Sequence, residues 1–227
     1  AEWLKNAYDQ AVRMGEPGIT YIVLHVDPPM SRSGADGVME CIDFVGASFE
    51  EIDEHLKRWG SEVAASRGRA DFAGFGGHGN GGKFHMRENF KRSEFITYRQ
   101  GRITVFGFDE SKKYGFDERY RGAEVTPGEA RAIAGLDPDR PDLPTEVRTA
   151  LASDDQALCR FTIVRGRGLR HAAQWSRSEA FESRLMADAQ AKQVIERSHL
   201  VFSEGDRVIN PLRLPAIPDR PGYEDGR

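Results

Sequence analysis

The sequence predicts an α/β protein of the α+β kind, a mixed β-sheet packed on helices. Three observations carry that expectation. β-rich runs come in pairs separated by turn-forming residues, 19–26 with 38–44 and 94–99 with 102–108. Segments with apolar residues at helical spacing stand between and beside these pairs. The composition, 39% hydrophobic and 30% charged over 227 residues, is that of a globular chain able to bury one sizeable core.

The first element is a helix over 1–14, with Leu4, Ala7, Tyr8, Ala11 and Val12 on one face and Gly15 and Pro17 ending it. A helix that starts at the first residue, with no cap and no initiator Met, leads us to expect that structure upstream belongs to the same protein. The first hairpin follows, its second strand ending at Asp43. Ser48-Phe49-Glu50-Glu51 has the Ser-x-x-Glu form of a capping box, and Ile52, His55, Leu56 and Trp59 continue a helix until Gly60. Residues 60–76 are small, charged and glycine-rich, the composition of a loop or lid. A short helix is expected around Phe84, Met86 and Phe90, then the second hairpin turning at Gln100-Gly101. The stretch 109–145 is polar and rich in Pro and Gly, with one short helix at 127–134, and a further helix is expected over 145–152. Arg160–Val164 has strand composition, whereas the arginine-rich run 165–170 is expected to be a solvated loop. Ser178 would cap a long amphipathic helix, followed by a hairpin over 200–209 turning at Glu204-Gly205-Asp206 and a proline-rich tail after Asn210.

Composition narrows the functional classes. No apolar run approaches the roughly 20 residues of a membrane span, and no secretion signal opens the chain, so a cytoplasmic location without membrane contact is expected. Cys41 and Cys159 form no C-x-x-C pair, which argues against structural zinc or a disulfide framework. A net charge of −4 offers nucleic acid no global attraction; only the local arginines of 165–170 would.

Two motifs carry chemistry. Glu2 and Asn6 are four apart, so a helix projects both toward one ligand. A general base and a magnesium ligand need that spacing. In Gly76-Gly77-His78-Gly79-Asn80-Gly81-Gly82-Lys83, glycines allow backbone N–H groups to approach phosphate while the lysine adds charge. Residues 77–83 also satisfy the opening of a P-loop, G-x-x-x-x-G-K, but Phe84 stands where Ser or Thr must hold magnesium and 70–75 make a poor strand. That reading is set aside. Taken alone, Glu2 and Asn6 are ordinary solvent-facing helix residues, and the glycine cluster has the composition of a linker.

The order of these parts resembles the GHKL ATPases, the superfamily of gyrase, the large heat-shock chaperone, sensor histidine kinases and mismatch-repair ATPases. Glu2, Asn6, Ala7 and Asp9 match its N-box, E-x-x-x-N-A-x-D. A hairpin strand ending in an Asp before a glycine and a helix matches Asp43 and Gly46; Asp27, in the hairpin turn without a following glycine, does not. The family's later glycine box matches Gly77, Gly79, Gly81, Gly82 and Lys83. Two departures stand out: the Asp box has lost a glycine, and the strand that brings Gly-Thr to the base reads Leu158-Cys159-Arg160-Phe161-Thr162.

The resemblance spans about residues 1–166 as an ATP-binding domain whose upstream strand and helix are missing, leaving 167–227 as a C-terminal helix, hairpin and tail. It implies the Bergerat two-layer sandwich, with the sheet on one side and three helices on the other. It further implies ATP and Mg²⁺ as ligands: Glu2 activating the attacking water, Asn6 on the metal, Asp43 reading adenine, with Gly46 beside it, and Gly77, His78, Gly79, Asn80, Gly81, Gly82 and Lys83 around the phosphates. Asp9 is expected in a supporting role, and the other histidines in structural ones. Hydrolysis would drive a conformational switch, with the upstream segment, a second copy and a protein client as the partners such domains use. A nucleotide sensor without turnover, or a scaffold that binds no nucleotide, are the alternatives.

Overall fold

In the computed structural model, residues 2–14, 21–27, 37–53, 81–170, 187–205 and 207–208 are described. The first hairpin pairs β1 (Tyr21–Asp27) with β2 (Val38–Asp43), antiparallel, with Ile22 opposite Asp43. The second pairs β3 (Phe90–Arg99) with β4 (Arg102–Phe108). Their two-residue turn takes positive φ at both Gln100 (52°) and Gly101 (76°), the geometry that matches strand twist. β5 (Tyr114–Glu124), β6 (Phe161–Leu169), β7 (His199–Glu204) and β8 (Arg207–Val208) complete one sheet of order β5-β4-β3-β6-β2-β1-β7-β8. The sheet is mixed because β7 lies parallel to β1 while the other neighbours are antiparallel.

The helices are α1 (Glu2–Arg13), α2 (Phe49–Glu51), α3 (Gly81–Asn89), α4 (Pro127–Ala134), α5 (Thr145–Ala152) and α6 (Ala189–Arg197). Side chains alternate across each strand, so the sheet has two apolar faces. Ile22, Leu24, Cys41, Val164 and Phe202 pack with Leu4, Tyr8, Met86 and Val194, which places α1, α3 and α6 on one face. α2 joins that side through Ile52 on Phe106. Here the expected sheet-on-helices arrangement is observed. The opposite face is also covered: Val23, Ile42, Ile163 and Phe161 pack with Ala130, Ala134, Val147 and Leu151 of α4 and α5.

Local signals hold where the described residues test them. Ser48 Oγ accepts from the Glu51 N–H while the Glu51 carboxylate accepts from the Ser48 N–H. Thr126 and Glu129 repeat that capping box at α4, ahead of a left-handed Gly135. Two expectations need correction. The stretch after 109 contains an 11-residue strand, β5, at the sheet edge. The run 165–169 is no solvated loop but the second half of β6, with Arg165 buried against Glu40. The division drawn after residue 166 therefore falls inside a strand, and β7 and α6, beyond it, belong to the same sheet and core. Among the described residues no helix is long and apolar enough to cross a membrane. The lid 60–76, the helix start at Ser178 and the tail lie outside the described residues.

Candidate functional site

A cavity opens between α1, α3 and the sheet face that these helices cover. α1 supplies Trp3, Asn6, Ala7 and Gln10; α3 supplies Gly82, Lys83 and Met86. The floor is Cys41, Asp43, Thr162 and Val164, and Phe95, Phe106 and Ala47 close the far end. The wall is mostly apolar, with a few convergent polar groups, the usual character of a small-molecule site.

Helical geometry explains the α1 wall. Trp3, Leu4, Ala7, Tyr8 and Ala11 are buried at i, i+3, i+4 spacing, and this sets Glu2, Asn6 and Gln10, each four apart, along one stripe at the edge of that face. Asn6 and Gln10 line the cavity; Glu2 does not, and its carboxylate is ion-paired with the buried Lys5 ammonium. His85 of α3 lies close enough to feel the charges of both Glu2 and Lys5, and burial lowers its pKa.

α1 and α3 meet closely. Trp3 Nε1 donates to the Gly82 carbonyl at 3.4 Å. A Cβ on Gly82 would lie 2.6 Å from Asn6 Nδ2, so a larger residue there would push the Asn6 carboxamide aside. Next to it, Lys83 is 5% exposed, and burial pushes its ammonium down to about 8.

At the other end, β2 finishes at Asp43, which is 4% exposed. Its Oδ1 accepts from the N–H groups of Val45 (3.1 Å) and Gly46 (3.3 Å), folding the chain back in a tight turn. Gly46 takes φ +71°, and a Cβ there would stand 2.6 Å from the Tyr98 carbonyl oxygen. Asp43 lies directly opposite Thr162 on β6, and Thr162 opposite Thr97 on β3. The two threonine hydroxyls are 3.2 Å apart, and Thr97 Oγ1 accepts from the Ala47 N–H at 2.8 Å. A carboxylate and a row of hydroxyls thus share one register across three strands.

Of the residues singled out from sequence, the cavity takes Asn6, Asp43, Gly82 and Lys83, with Gly46 in the adjoining turn and Gly81 opening α3. Gly77, His78, Gly79 and Asn80 lie outside the described residues. Sequence reasoning missed Gln10 and Thr97 as site residues and gave Thr162 no part. The signal for Gln10 was its spacing, one further turn along the Glu2–Asn6 stripe; the threonines show themselves only through strand register.

No protein-family model matches the chain, and no curated protein matches it. Among solved structures it is similar to the ATP-binding domain of topoisomerase IV from Francisella tularensis, in complex with a small-molecule inhibitor. The similarity has a TM-score of 0.43 at 11% identity, covering 90% of this chain and 80% of that one.

Proposed function

We propose that this chain binds Mg-ATP in the cavity between α1, α3 and the sheet, and hydrolyses it to drive a conformational switch. The observation that supports the reading is the meeting of Asn6 with Gly82 and Lys83 in a cavity whose other end is Asp43, residues drawn from three separate elements. Asn6 of one motif and Gly82 and Lys83 of the other line the same cavity.

The residues present fit the ligands. The purine would lie among Phe95, Phe106 and Met86, with Asp43 and Thr162 presenting a carboxylate and a hydroxyl to its polar edge. The triphosphate would meet the buried Lys83 ammonium and the N-terminus of the nine-residue helix α3, whose N–H groups and dipole favour anions. Among the described residues no cluster of His, Cys, Asp and Glu could hold a metal ion. Magnesium would be held by the Asn6 carboxamide oxygen together with phosphate oxygens, an arrangement this ion commonly takes. When bound, the ion neutralises phosphate charge. Glu2, one turn from Asn6, would orient and deprotonate the attacking water.

One observation favours a second reading, a nucleotide sensor without turnover: Glu2 is engaged by Lys5 and stands outside the cavity lining. Calorimetric titration with ATP, with and without magnesium, alongside steady-state phosphate release, separates the two. Under the hydrolytic reading Glu2→Ala binds nearly as the native chain does while release falls about 10²–10⁴-fold, the contribution of a positioned general base. Binding without release in the native chain selects the sensor, and absence of binding overturns both.

A further inference from the structure

The turn that presents Asp43 is held from two layers of the fold. From the sheet, Arg99 Nη1 donates to the Val45 carbonyl (2.7 Å) and the Gly46 carbonyl (3.4 Å), and Thr97 Oγ1 accepts from the Ala47 N–H. From the helix layer, Gln10 Nε2 donates to the same Gly46 carbonyl at 3.0 Å, in a buried contact 36 residues apart in sequence. Gln10 is 6% exposed and itself lines the cavity. We infer that Gln10 is a positioning residue for base selectivity, setting the Asp43 turn at its distance from α1. The inference rests on the nucleotide reading.

Asn6 and Gln10 are one turn apart on a single helix, about 6 Å along its axis. The group proposed for the metal end and the group that grips the base end are therefore fixed to one rigid body. Gly46 has a left-handed φ and a carbonyl shared between two donors, so Gln10 ties the turn to α1 while Arg99 and Thr97 tie it to the sheet. Removing the amide donor leaves a buried carbonyl with its sheet contact alone and lets the turn relax toward β3. The Asp43 carboxylate then shifts against the base, while Lys83 and the α3 N-terminus, carried by a different helix, stay where they are. Base recognition should fail before phosphate recognition does.

The test uses the full chain and three probes in magnesium: ATP, GTP and inorganic tripolyphosphate, titrated by calorimetry. Gln10→Met keeps the length of the side chain and removes the donor. It should weaken ATP about three- to tenfold, the worth of one ordinary hydrogen bond, lower the ATP-over-GTP ratio by a similar factor, and leave tripolyphosphate within about twofold. In an Asp43→Asn background the same substitution should cost ATP less than about twofold, because residues that act through one another are not additive. Equal loss for all three probes, or full additivity with Asp43→Asn, overturns the assignment and returns Gln10 to packing. If Gln10→Met does not fold, Gln10→Lys carries the test, since it retains a donor within reach: it should hold the ATP-over-GTP ratio within about twofold of native, and collapse of that ratio overturns the assignment. A native chain that binds tripolyphosphate but neither nucleotide, or none of the three, overturns the nucleotide reading itself, and the two failures are thereby told apart.

Discussion

Lys83 shows how one buried side chain sets a pH dependence. Burial disfavours its charged form and brings its pKa down to about 8. A bound phosphate favours the charged form, so the pKa in the complex is higher. Between those two values the unbound lysine is neutral and the bound one protonated, and binding takes up a proton. ATP affinity is therefore expected to fall as pH rises above about 8 and to level off below it. Calorimetry at pH 9 in two buffers of different ionisation enthalpy should report proton uptake, smaller at pH 7 and absent in Lys83→Ala. That variant should lose about 1.5–3 kcal/mol of binding, the size of a hydrogen bond to a charged group. Lys83 was legible in the sequence because a lysine closing a glycine cluster is unusual, and Asp43 because a strand ends there before a glycine. Thr162 was not, since a threonine in a β-rich run is ordinary until Asp43 is found opposite it.

Where two elements meet, function and stability pull apart. Gly82 lies within α3, where alanine is the better helix former by as much as about 1 kcal/mol. Yet a Cβ there would stand 2.6 Å from Asn6 Nδ2, and Asn6, at the end of a mobile side chain, would have to turn away. Gly82→Ala is expected to melt no lower than the native chain while losing the magnesium-dependent part of its ATP affinity; titrations with magnesium and with chelator, beside a thermal melt, check both halves. The elements themselves were readable wherever a local device announced them, as with the Ser48–Glu51 box and the Gln100-Gly101 turn. β5 escaped notice because both its faces are partly exposed, so its polar side chains show no alternation, and bulges interrupt its pairing with β4. β6 was cut short at Val164 because a buried arginine is invisible to hydropathy until its partners on neighbouring strands are known.

Those partners form a row across the middle of the molecule. Ser203, His25, Glu40, Arg165 and Glu94 stand in register on β7, β1, β2, β6 and β3, on the face away from the cavity. Arg165 pairs with Glu40 and, at 3.5 Å, with Glu94, and donates to the Ala134 carbonyl at 2.6 Å. Arg140 bridges Glu40 (3.0 Å) and Asp142 (2.7 Å), and Asp142 accepts from Ser203, whose hydroxyl is 2.8 Å from His25 Nδ1. Burial alone would raise the Glu40 and Asp142 carboxyls, but Arg165 and Arg140 outweigh it at Glu40, and Arg140 and Ser203 at Asp142, so both are held below the usual carboxylate range. Burial, with Arg140 beside it, lowers His25. All three act in one direction. On acidification the unfolded chain takes up protons first, at the histidine and then at the carboxylates, so the stability they contribute is present near neutral pH and is lost progressively as pH falls. Thermal melts should accordingly drop from about pH 6.5 downward. Removing one member near neutral pH should be worse than acid: Arg165→Met leaves Glu40 buried with half its compensation gone, and about 3–5 kcal/mol of stability should go with it. Arg165→Met with Glu40→Met removes both charges and should recover most of that loss, because an apolar pair of similar volume leaves no stranded charge. Denaturant unfolding of the two variants decides the matter, and a double variant no more stable than the single would show that the row is held by its strands rather than by its charges.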